Sequence, residues 1–428
     1  MTTALIIGAG IAGPVTAMAL QKAGIHARLF EGRSPDASEL GSWLTLQANG
    51  IDALRAVDAH RLVADIGFPT TSMRFTSGTG KVLGTVVNGA PTPDGVTSQM
   101  VARAELYQAL RNEAVRRGAD ISYDQHLVAA TTTPAGVTAT FADGSTATGD
   151  LLIGADGIRS TVRTIIDPSA PAARYVPVLN VGGFVPGLDT GTPADQFQMT
   201  FGSRCFFGYT STPDGGTVWF ANPPHKTEPA RGELAAITDA DWRTMLLDLL
   251  GEDAGPARDI ITAAPAPLIG WATYDIPTVP RWHRDNLAII GDAAHATAPS
   301  AGQGAALALE DAVLIAKCLR DTPDAPTAFA IFDQLRRRRV EKVVAYGHRS
   351  SNAKAAGPIS RRIRDTILPI IFKRLDKTAA HPPAGSPITT STGTAEPRPT
   401  RCNRGVTRER FKSTTGDTGG HSGGGPSR

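Results

Sequence analysis

The beginning of the chain carries the pattern that most restricts its fold. A short apolar run at residues 4–7 precedes the motif Gly-Ala-Gly-Ile-Ala-Gly at residues 8–13, and an alanine-rich stretch and a second apolar run, residues 27–30, follow it. This order predicts a strand, a helix and a strand, with a Gly-x-Gly-x-x-Gly turn before the helix. The sequence therefore predicts a dinucleotide-binding βαβ unit.

The glycines and the acid that follows them suit this role. The first two glycines allow the turn and the close approach of a pyrophosphate, and the third allows the helix to pack on the strand. Glu31 stands at the end of the second strand, where a carboxylate accepts hydrogen bonds from ribose hydroxyls. These residues do not separate FAD from NAD. The candidate cofactor-binding residues of this segment are Gly8, Gly10, Ala12, Gly13, Glu31 and Arg33.

A second glycine-rich turn lies late in the chain. The apolar run at residues 287–290 predicts a buried strand that ends at Gly291, and a loop of small residues continues through Pro299. Gly302 and Gly304 then begin a long helical pattern. A loop that can approach a ligand closely, followed by a helix N-terminus, suits a ligand that becomes anionic, such as a reduced flavin ring. The alternative is that these are only tight turns of an α/β domain.

A third motif lies between the other two. Asp156 and Gly157 follow a strand-like run and precede Ser160 and Arg163 in a helical pattern. Together, in this order and over residues 1–345, the three motifs resemble those of the class A flavoprotein aromatic hydroxylases, the family of para-hydroxybenzoate hydroxylase. Taken alone, the middle motif could also be an ordinary turn at a strand end, with Ser160 as a local helix cap.

The resemblance implies roles for individual residues. Arg103, at the start of a helix, matches an arginine that reaches the flavin side of the cofactor, although it could be a solvated residue of the first turn. Asp292 is expected to bind a sugar or ribityl hydroxyl, and Pro299 to shape the loop beside the reactive ring edge. His295 is expected to be structural. The candidate cofactor-binding residues of the later motifs are Arg103, Asp156, Gly157, Gly291, Asp292, Pro299, Gly302, Gln303 and Gly304.

The predicted fold class is α/β: a Rossmann-like FAD-binding domain with an inserted antiparallel β-sheet substrate domain and C-terminal helices. Residues 174–276 support the insertion, because their strand-like runs lack long crossover helices and only residues 239–250 have a helical pattern. The expected parts are the FAD-binding domain at 1–71, 99–173 and 277–345, substrate-domain strands at 72–98 and 174–276, a C-terminal helical segment at 346–378 and a disordered tail at 379–428.

The resemblance also implies an activity. The expected protein is an FAD-dependent monooxygenase with one non-covalent FAD and with NADPH or NADH as co-substrate. O2 adds at the flavin C4a position, and the hydroperoxide passes one oxygen to an aromatic or other electron-rich small molecule. No second Gly-x-Gly-x-x-Gly motif is present, so NAD(P)H is expected to bind transiently. We assign no catalytic residue and expect no metal.

Three alternatives stay open at this point. A flavin-dependent halogenase shares the first motif, but its Trp-x-Trp-x-Ile-Pro motif is matched only loosely, by residues 270–277. A flavoprotein reductase acting on prenyl chains can have the same fold. A non-catalytic FAD-binding or assembly protein belongs to a different class.

Composition sets further limits. Three distant cysteines and no basic N-terminal region argue against a disulfide framework and a signal peptide, and no apolar run is long enough for a membrane span, so we expect a cytoplasmic location. The net charge of +3 comes from the tail: from residue 381 onward, seven basic and three acidic residues give +4. The body is near neutral, so no nucleic-acid partner is expected. The amphipathic residues 361–376 are expected to pack on the protein rather than on a membrane. Oligomeric state is not predicted.

Overall fold

The structure is a computed structural model that describes residues 2–35, 42–92, 94–354 and 365–372. Its strands are β1 (Thr3–Ile7), β2 (His26–Phe30), β3 (Trp43–Leu46), β4 (Gly67–Pro69), β5 (Ser72–Ser77), β6 (Val82–Val87), β7 (Gln99–Ala102), β8 (Asp120–Ser122), β9 (Leu127–Thr133), β10 (Gly136–Phe141), β11 (Thr146–Gly149), β12 (Leu151–Gly154), β13 (Arg174–Val185), β14 (Gln196–Phe201), β15 (Phe206–Ser211), β16 (Thr217–Asn222), β17 (Gly270–Asp275), β18 (His283–Arg284) and β19 (Leu287–Ile289).

The α-helices are α1 (Ala12–Lys22), α2 (Ala48–Ala56), α3 (Arg61–Ile66), α4 (Arg103–Arg116), α5 (Thr161–Ile166), α6 (Glu233–Ala236), α7 (Asp239–Leu250), α8 (Ala257–Ala263), α9 (Asp292–His295), α10 (Gly304–Asp321) and α11 (Ala325–Lys354). Pro299–Ala301 forms a short 3-10 helix, and residues 365–372 are helical. Within the described ranges, no helix has the length and apolarity needed to cross a membrane.

A six-stranded sheet forms the centre of the first layer, in the order β18-β19-β12-β1-β2-β8. β1 pairs in parallel with both β2 and β12, and β12 pairs in parallel with β19, while β18 is an antiparallel edge. Strands β12 and β19 are buried along their whole length, as expected for a parallel sheet covered on both faces. The predicted α/β class with a Rossmann-like core is therefore confirmed.

A seven-stranded sheet has the order β17-β13-β16-β15-β14-β5-β6. It is antiparallel except at one pair, because β5 enters from the earlier part of the chain and runs parallel to β14. One face of this sheet packs against helices α7 and α8 through Trp219, Trp242 and Leu246, all of which are buried. The opposite face lines a large cleft.

Three details differ from the sequence-based expectations. The sequence predicts a loop from Trp43 and then a single helix over residues 51–63. The structure has two helices there, α2 and α3, because Asp58 adopts φ 55°, a left-handed conformation that interrupts the helix. Lys22 fixes this break by donating hydrogen bonds to the Ala56 carbonyl at 2.9 Å and to Asp58 at 2.7 Å. The expected loop around Trp43 begins with strand β3, and three helices, not one, separate β16 from β17. The predicted tail at 379–428 lies outside the described residues.

Candidate functional site

One cleft of about 2200 Å3 brings the three sequence motifs together. Ligand pockets usually enclose about 300–1,000 Å3, so this cleft has room for a dinucleotide and a second molecule. Of the candidate residues, Gly13 and Gly291 do not line it. Those that do are Gly8, Gly10, Ala12, Glu31, Arg33, Arg103, Asp156, Gly157, Asp292, Pro299, Gly302, Gln303 and Gly304.

The three glycines of the first motif have different structural roles. Gly8 adopts φ +101°, and a Cβ there would overlap the carbonyl oxygen of Ala155, the residue that follows strand β12. A Cβ on Gly13 would overlap the carbonyl oxygen of Gly8, so Gly13 lets α1 pack on the turn. A Cβ on Gly10 would meet nothing within 4 Å. Gly8 and Gly13 therefore serve packing, and Gly10 leaves space that faces the cleft.

Glu31 is held in place by the turn that it serves. Its Oε2 accepts a hydrogen bond from the Ala9 amide at 2.7 Å, and its Oε1 accepts one from the Arg33 amide at 3.0 Å. A carboxylate has about four lone-pair sites, so both oxygens keep acceptor capacity for ribose hydroxyls.

Arg111 is a site residue that lies outside the three sequence motifs. Its Nε donates to the Ala9 carbonyl at 2.5 Å, and its Nη2 lies 3.9 Å from Glu31. Arg103, Tyr107 and Arg111 are spaced by four residues along α4 and line the cleft, with both guanidinium groups over the Tyr107 ring. That spacing places them on one helical face, and it was the sequence signal available for Arg111.

Asp156 uses its carboxylate within the protein. Its Oδ1 accepts from the Ser160 hydroxyl at 2.5 Å, and its Oδ2 accepts from the amides of Thr161 at 2.8 Å and Val162 at 3.1 Å. Ser160 in turn accepts from the Arg163 amide at 2.9 Å. The alternative role of Ser160 as a helix cap is confirmed, and Asp156 lines the cleft while holding the start of α5.

Arg163 connects the middle motif, which contains Asp156 and Gly157, to the motif that follows β19. This buried side chain donates from Nη2 to the Ile158 carbonyl at 2.7 Å and from Nη1 to the Ala293 carbonyl at 3.0 Å. Burial lowers the pKa of its guanidinium, although the charge of Asp156 opposes that effect. The middle motif and the loop after β19 are therefore held at a fixed distance.

A buried charged network supports the loop after β19 from behind. Asp311 on α10 accepts from the Gly291 amide at 2.9 Å, and its Oδ2 lies 2.5 Å from Nε2 of His295. Arg336 of α11 donates to Asp311 at 2.7 Å and to Glu310 at 2.7 Å. Burial alone would raise the pKa of Asp311, but the charges of His295 and Arg336 outweigh it and lower the pKa to about 2. His295 therefore belongs to the support of the loop.

Asp292 differs from its buried neighbours. Its side chain is exposed to the cleft and lines it, and within the described residues no hydrogen bond reaches its carboxylate. The surrounding protein raises its pKa by desolvation, although His295 and Arg103 oppose that effect with their charges. A hydrogen bond donated by a ligand hydroxyl would stabilise the charged form of this carboxylate.

Three helix N-termini face the cleft without side-chain caps. The N-cap residues of α1, α4 and α10 are Ile11, Ala102 and Gln303, and none of their side chains accepts a hydrogen bond from a backbone amide of its own helix. Apart from the Arg103 amide, which donates to the Ser42 carbonyl at 2.9 Å, the amides of these first turns are available to a ligand, and with the partial positive charges they favour anionic groups. Together with the space at Gly10 and the acceptors Glu31 and Asp292, this set fits a cofactor with a pyrophosphate, ribose hydroxyls and a ring that becomes anionic, which describes FAD.

Comparisons with known proteins agree with this fit. The profile of the FAD binding domain family matches residues 1–345. Over 355 residues the chain is 30% identical to an aurachin C monooxygenase/isomerase of Stigmatella aurantiaca, covering 81% of this chain and 88% of that protein. An FAD-dependent urate hydroxylase of Klebsiella pneumoniae is 28% identical over 347 residues, covering 80% of this chain and 87% of that protein.

A crystal structure of a Klebsiella pneumoniae HpxO variant complexed with FAD superimposes with a TM-score of 0.78 and 25% identity, covering 89% of this chain and 99% of that one. The family profile covers all three sequence motifs and spans both sheets of the fold. The chain therefore belongs to the FAD binding domain family and is an FAD-dependent monooxygenase similar to the class A aromatic hydroxylases.

Proposed function

We propose that this enzyme uses NADPH or NADH and O2 to hydroxylate an aromatic or other electron-rich small molecule. The observation that supports this best is the continuity of the cleft: the dinucleotide-type motifs and the wall of the seven-stranded sheet, with Phe197 and Phe220, line the same space. A substrate held against this wall lies in the same cleft as the cofactor. The predicted domain bounds, with the sheet as substrate domain, form part of this proposal.

Each candidate residue has a proposed task. Glu31 accepts hydrogen bonds from the ribose, the amides at the start of α1 bind the pyrophosphate, and Asp292 accepts from a sugar or ribityl hydroxyl. The amides after Gln303 stabilise negative charge on the ring. FAD supplies the redox and oxygen chemistry when bound. The protein's further task is to exclude water from the substrate wall, because water access promotes loss of peroxide before transfer.

The decisive experiment follows electrons and oxygen together. The purified FAD-loaded protein is given NADPH or NADH with candidate aromatic substrates under 18O2, and NAD(P)H consumption, hydrogen peroxide and product mass are measured. The proposal expects substrate-stimulated NAD(P)H oxidation and one 18O atom per product molecule. Substrate reduction without O2 would indicate the reductase, halide-dependent product the halogenase, and no substrate-dependent turnover the non-catalytic protein.

We also propose a cytoplasmic location, because of the state of the described cysteines. Cys205 and Cys318 are buried, and burial raises the pKa of the Cys318 thiol to about 11. A thiol of this kind is unreactive and needs no oxidising compartment.

A further inference from the structure

Six phenylalanine rings form a continuous row along the cleft-lining face of the seven-stranded sheet. Neighbouring ring centroids are 5.0 to 6.0 Å apart throughout. Two of the rings are buried and four are half-buried. In order the row consists of Phe372, Phe75, Phe201, Phe206, Phe220 and Phe197. Rings that line an internal cleft in this way offer a long apolar surface to a ligand.

The wall that carries the row is uncharged. Among the described residues, none of the cleft-lining side chains contributed by the seven-stranded sheet is ionisable at neutral pH. The charged residues of the cleft, such as Glu31 and Arg159, come from the parallel-sheet layer and from the loop after β16. A charged group placed against the sheet would lose its hydration without gaining an ionic partner.

A pair of side-chain amides provides a polar contact on this wall. Asn222 donates from Nδ2 to Oδ1 of Asn180 at 2.9 Å, and both residues line the cleft on neighbouring strands. Asn222 is buried and lies two residues after Phe220 on β16. Within the described residues, the amide nitrogen of Asn180 makes no hydrogen bond, so it can donate to a neutral acceptor such as a carbonyl or hydroxyl oxygen.

The far end of the row belongs to the helical segment 365–372. Phe372 stacks on Phe75 with centroids 5.0 Å apart, and Leu368, Ile371 and Phe372 line the cleft. The neighbouring strand accommodates this ring, because a Cβ on Gly84 would lie 2.5 Å from the Phe372 ring. The apolar surface therefore continues beyond the sheet to a second part of the chain.

We propose that the substrate of this enzyme is an uncharged aromatic molecule that carries an apolar chain. Its polar edge is recognised by Asn180 and its chain runs along the phenylalanine row toward Phe372. This inference rests on the proposed function, since it assigns the substrate class of the same cleft. It excludes carboxylated aromatic acids and other anions as preferred substrates.

Binding of three matched phenols tests this. 4-Heptylphenol, 4-methylphenol and 4-hydroxybenzoate share a ring and differ in chain length or charge. Their dissociation constants are measured with the FAD-loaded enzyme, without NAD(P)H, from the change in the visible spectrum of the bound flavin. 4-Heptylphenol is expected to bind about tenfold or more tightly than 4-methylphenol, because burial of two methylenes suffices for that factor. 4-Hydroxybenzoate is expected to bind most weakly.

The inference is overturned if 4-hydroxybenzoate binds as tightly as 4-methylphenol, if chain length has no effect, or if none of the three binds. Two variants of the segment 365–372 test where the apolar chain of the substrate binds. Phe372→Ala is expected to reduce the advantage of the heptyl probe several-fold, while Ile367→Ala, in the same segment and outside the cleft lining, keeps it. If 4-heptylphenol keeps the same affinity advantage over 4-methylphenol in both variants, its heptyl chain does not reach Phe372.

This binding experiment separates the two proposals. If the affinities follow the expected order but the 18O2 experiment shows no oxygen transfer, the proposed substrate class is supported and the proposed monooxygenase reaction is contradicted. If 4-hydroxybenzoate is hydroxylated in preference to the neutral probes, the monooxygenase reaction is supported and the proposed substrate class is contradicted.

Discussion

Gly13 packs so closely on Gly8 that a single methyl group on Gly13 would overlap the Gly8 carbonyl oxygen. Gly10, between them in the same motif, has space on the cleft side instead. The motif therefore contains glycines required by the protein and a glycine available to the ligand. This difference yields a test that separates folding from cofactor binding.

The first prediction compares substitutions at these two glycines. Gly13→Ala should lower the free energy of unfolding by about 1–3 kcal/mol, because the backbone must move. Gly10→Ala should keep stability within about 0.5 kcal/mol and weaken FAD binding by about tenfold or more, or 1.4 kcal/mol. Urea unfolding of the flavin-free protein and FAD titration measure the two effects. Gly183→Ala, which makes only an ordinary contact with Trp219, is the control and should retain FAD. Unchanged FAD affinity in Gly10→Ala would place the pyrophosphate elsewhere.

The second prediction concerns Asp292. Desolvation raises its pKa, so its charged form is less favourable in the folded protein than in the unfolded chain. This penalty appears as pH rises through the carboxyl range and is present in full at neutral pH. Asp292→Ala should therefore leave the flavin-free protein as stable as the parent or more stable. The same variant should lose FAD affinity by about 1.5–3 kcal/mol, the value of one hydrogen bond to a charged group. A flavin-free variant less stable than the parent, or parental FAD affinity, would contradict the assignment.

The third prediction concerns the start of α10. Gly302 adopts φ +61°, so any side chain there is strained whether or not a flavin is present. Gly304 is unstrained, and a Cβ there would meet Thr297 at 3.6 Å, an ordinary contact. Gly304→Ala should stabilise the flavin-free helix by up to about 1 kcal/mol. It should also weaken FAD binding, slow reduction by NAD(P)H and increase peroxide release, because the methyl group enters the space beside the ring. Normal coupling in this variant would show that the flavin does not approach Gly304.

Local patterns explain why much of the fold could be predicted. β1, β2 and α7 lie within one or two residues of their expected positions, because strand and helix periodicity and turn glycines are encoded over short stretches. Most residues of the three motifs line the cleft for the same reason, since the motifs follow strands β1, β12 and β19 of the parallel sheet; Gly13 and Gly291 do not line it.

The features that were not predicted depend on distant contacts. Arg111 is 102 residues away from Ala9, and the Asn180–Asn222 pair is set by strand register. Asp311 is recognisable only when α10 and α11 are packed, since its partners are His295 and Arg336. The break at Asp58 likewise depends on Lys22, 36 residues earlier. The spacing of Arg111 from Tyr107 is a local pattern, but neither its contact with Ala9 nor the other contacts can be read from a local stretch of sequence.

The fourth prediction concerns the buried network behind the flavin-side loop. Asp311→Asn leaves Glu310 as the only carboxylate that pairs with Arg336 among the described residues, and it removes the charge facing His295, so we expect a loss of about 3–5 kcal/mol in the free energy of unfolding. Asp321→Asn is the control, because this acid ends the same helix in an exposed pair with Arg320. A surface pair of that kind contributes about 0–1 kcal/mol. Equal losses in the two variants would mean that the network does not stabilise the loop.

The same network gives the enzyme a defined acid sensitivity. The pKa of Asp311 is lowered from 3.8 to about 2 in the folded protein, so the stabilisation is complete above the unfolded value and is lost as pH falls through the folded one. The corresponding contribution is roughly 2 kcal/mol. Urea unfolding is measured at pH values between about 5 and 2, around the ordinary carboxyl range. Over this range the parent protein should lose stability more steeply than Asp311→Asn does, while Asp321→Asn should follow the parent more closely. If Asp311→Asn lost stability with the full slope of the parent, the carboxylate would not be held ionised by His295 and Arg336, and the support of the Gly291 turn would have to come from packing alone.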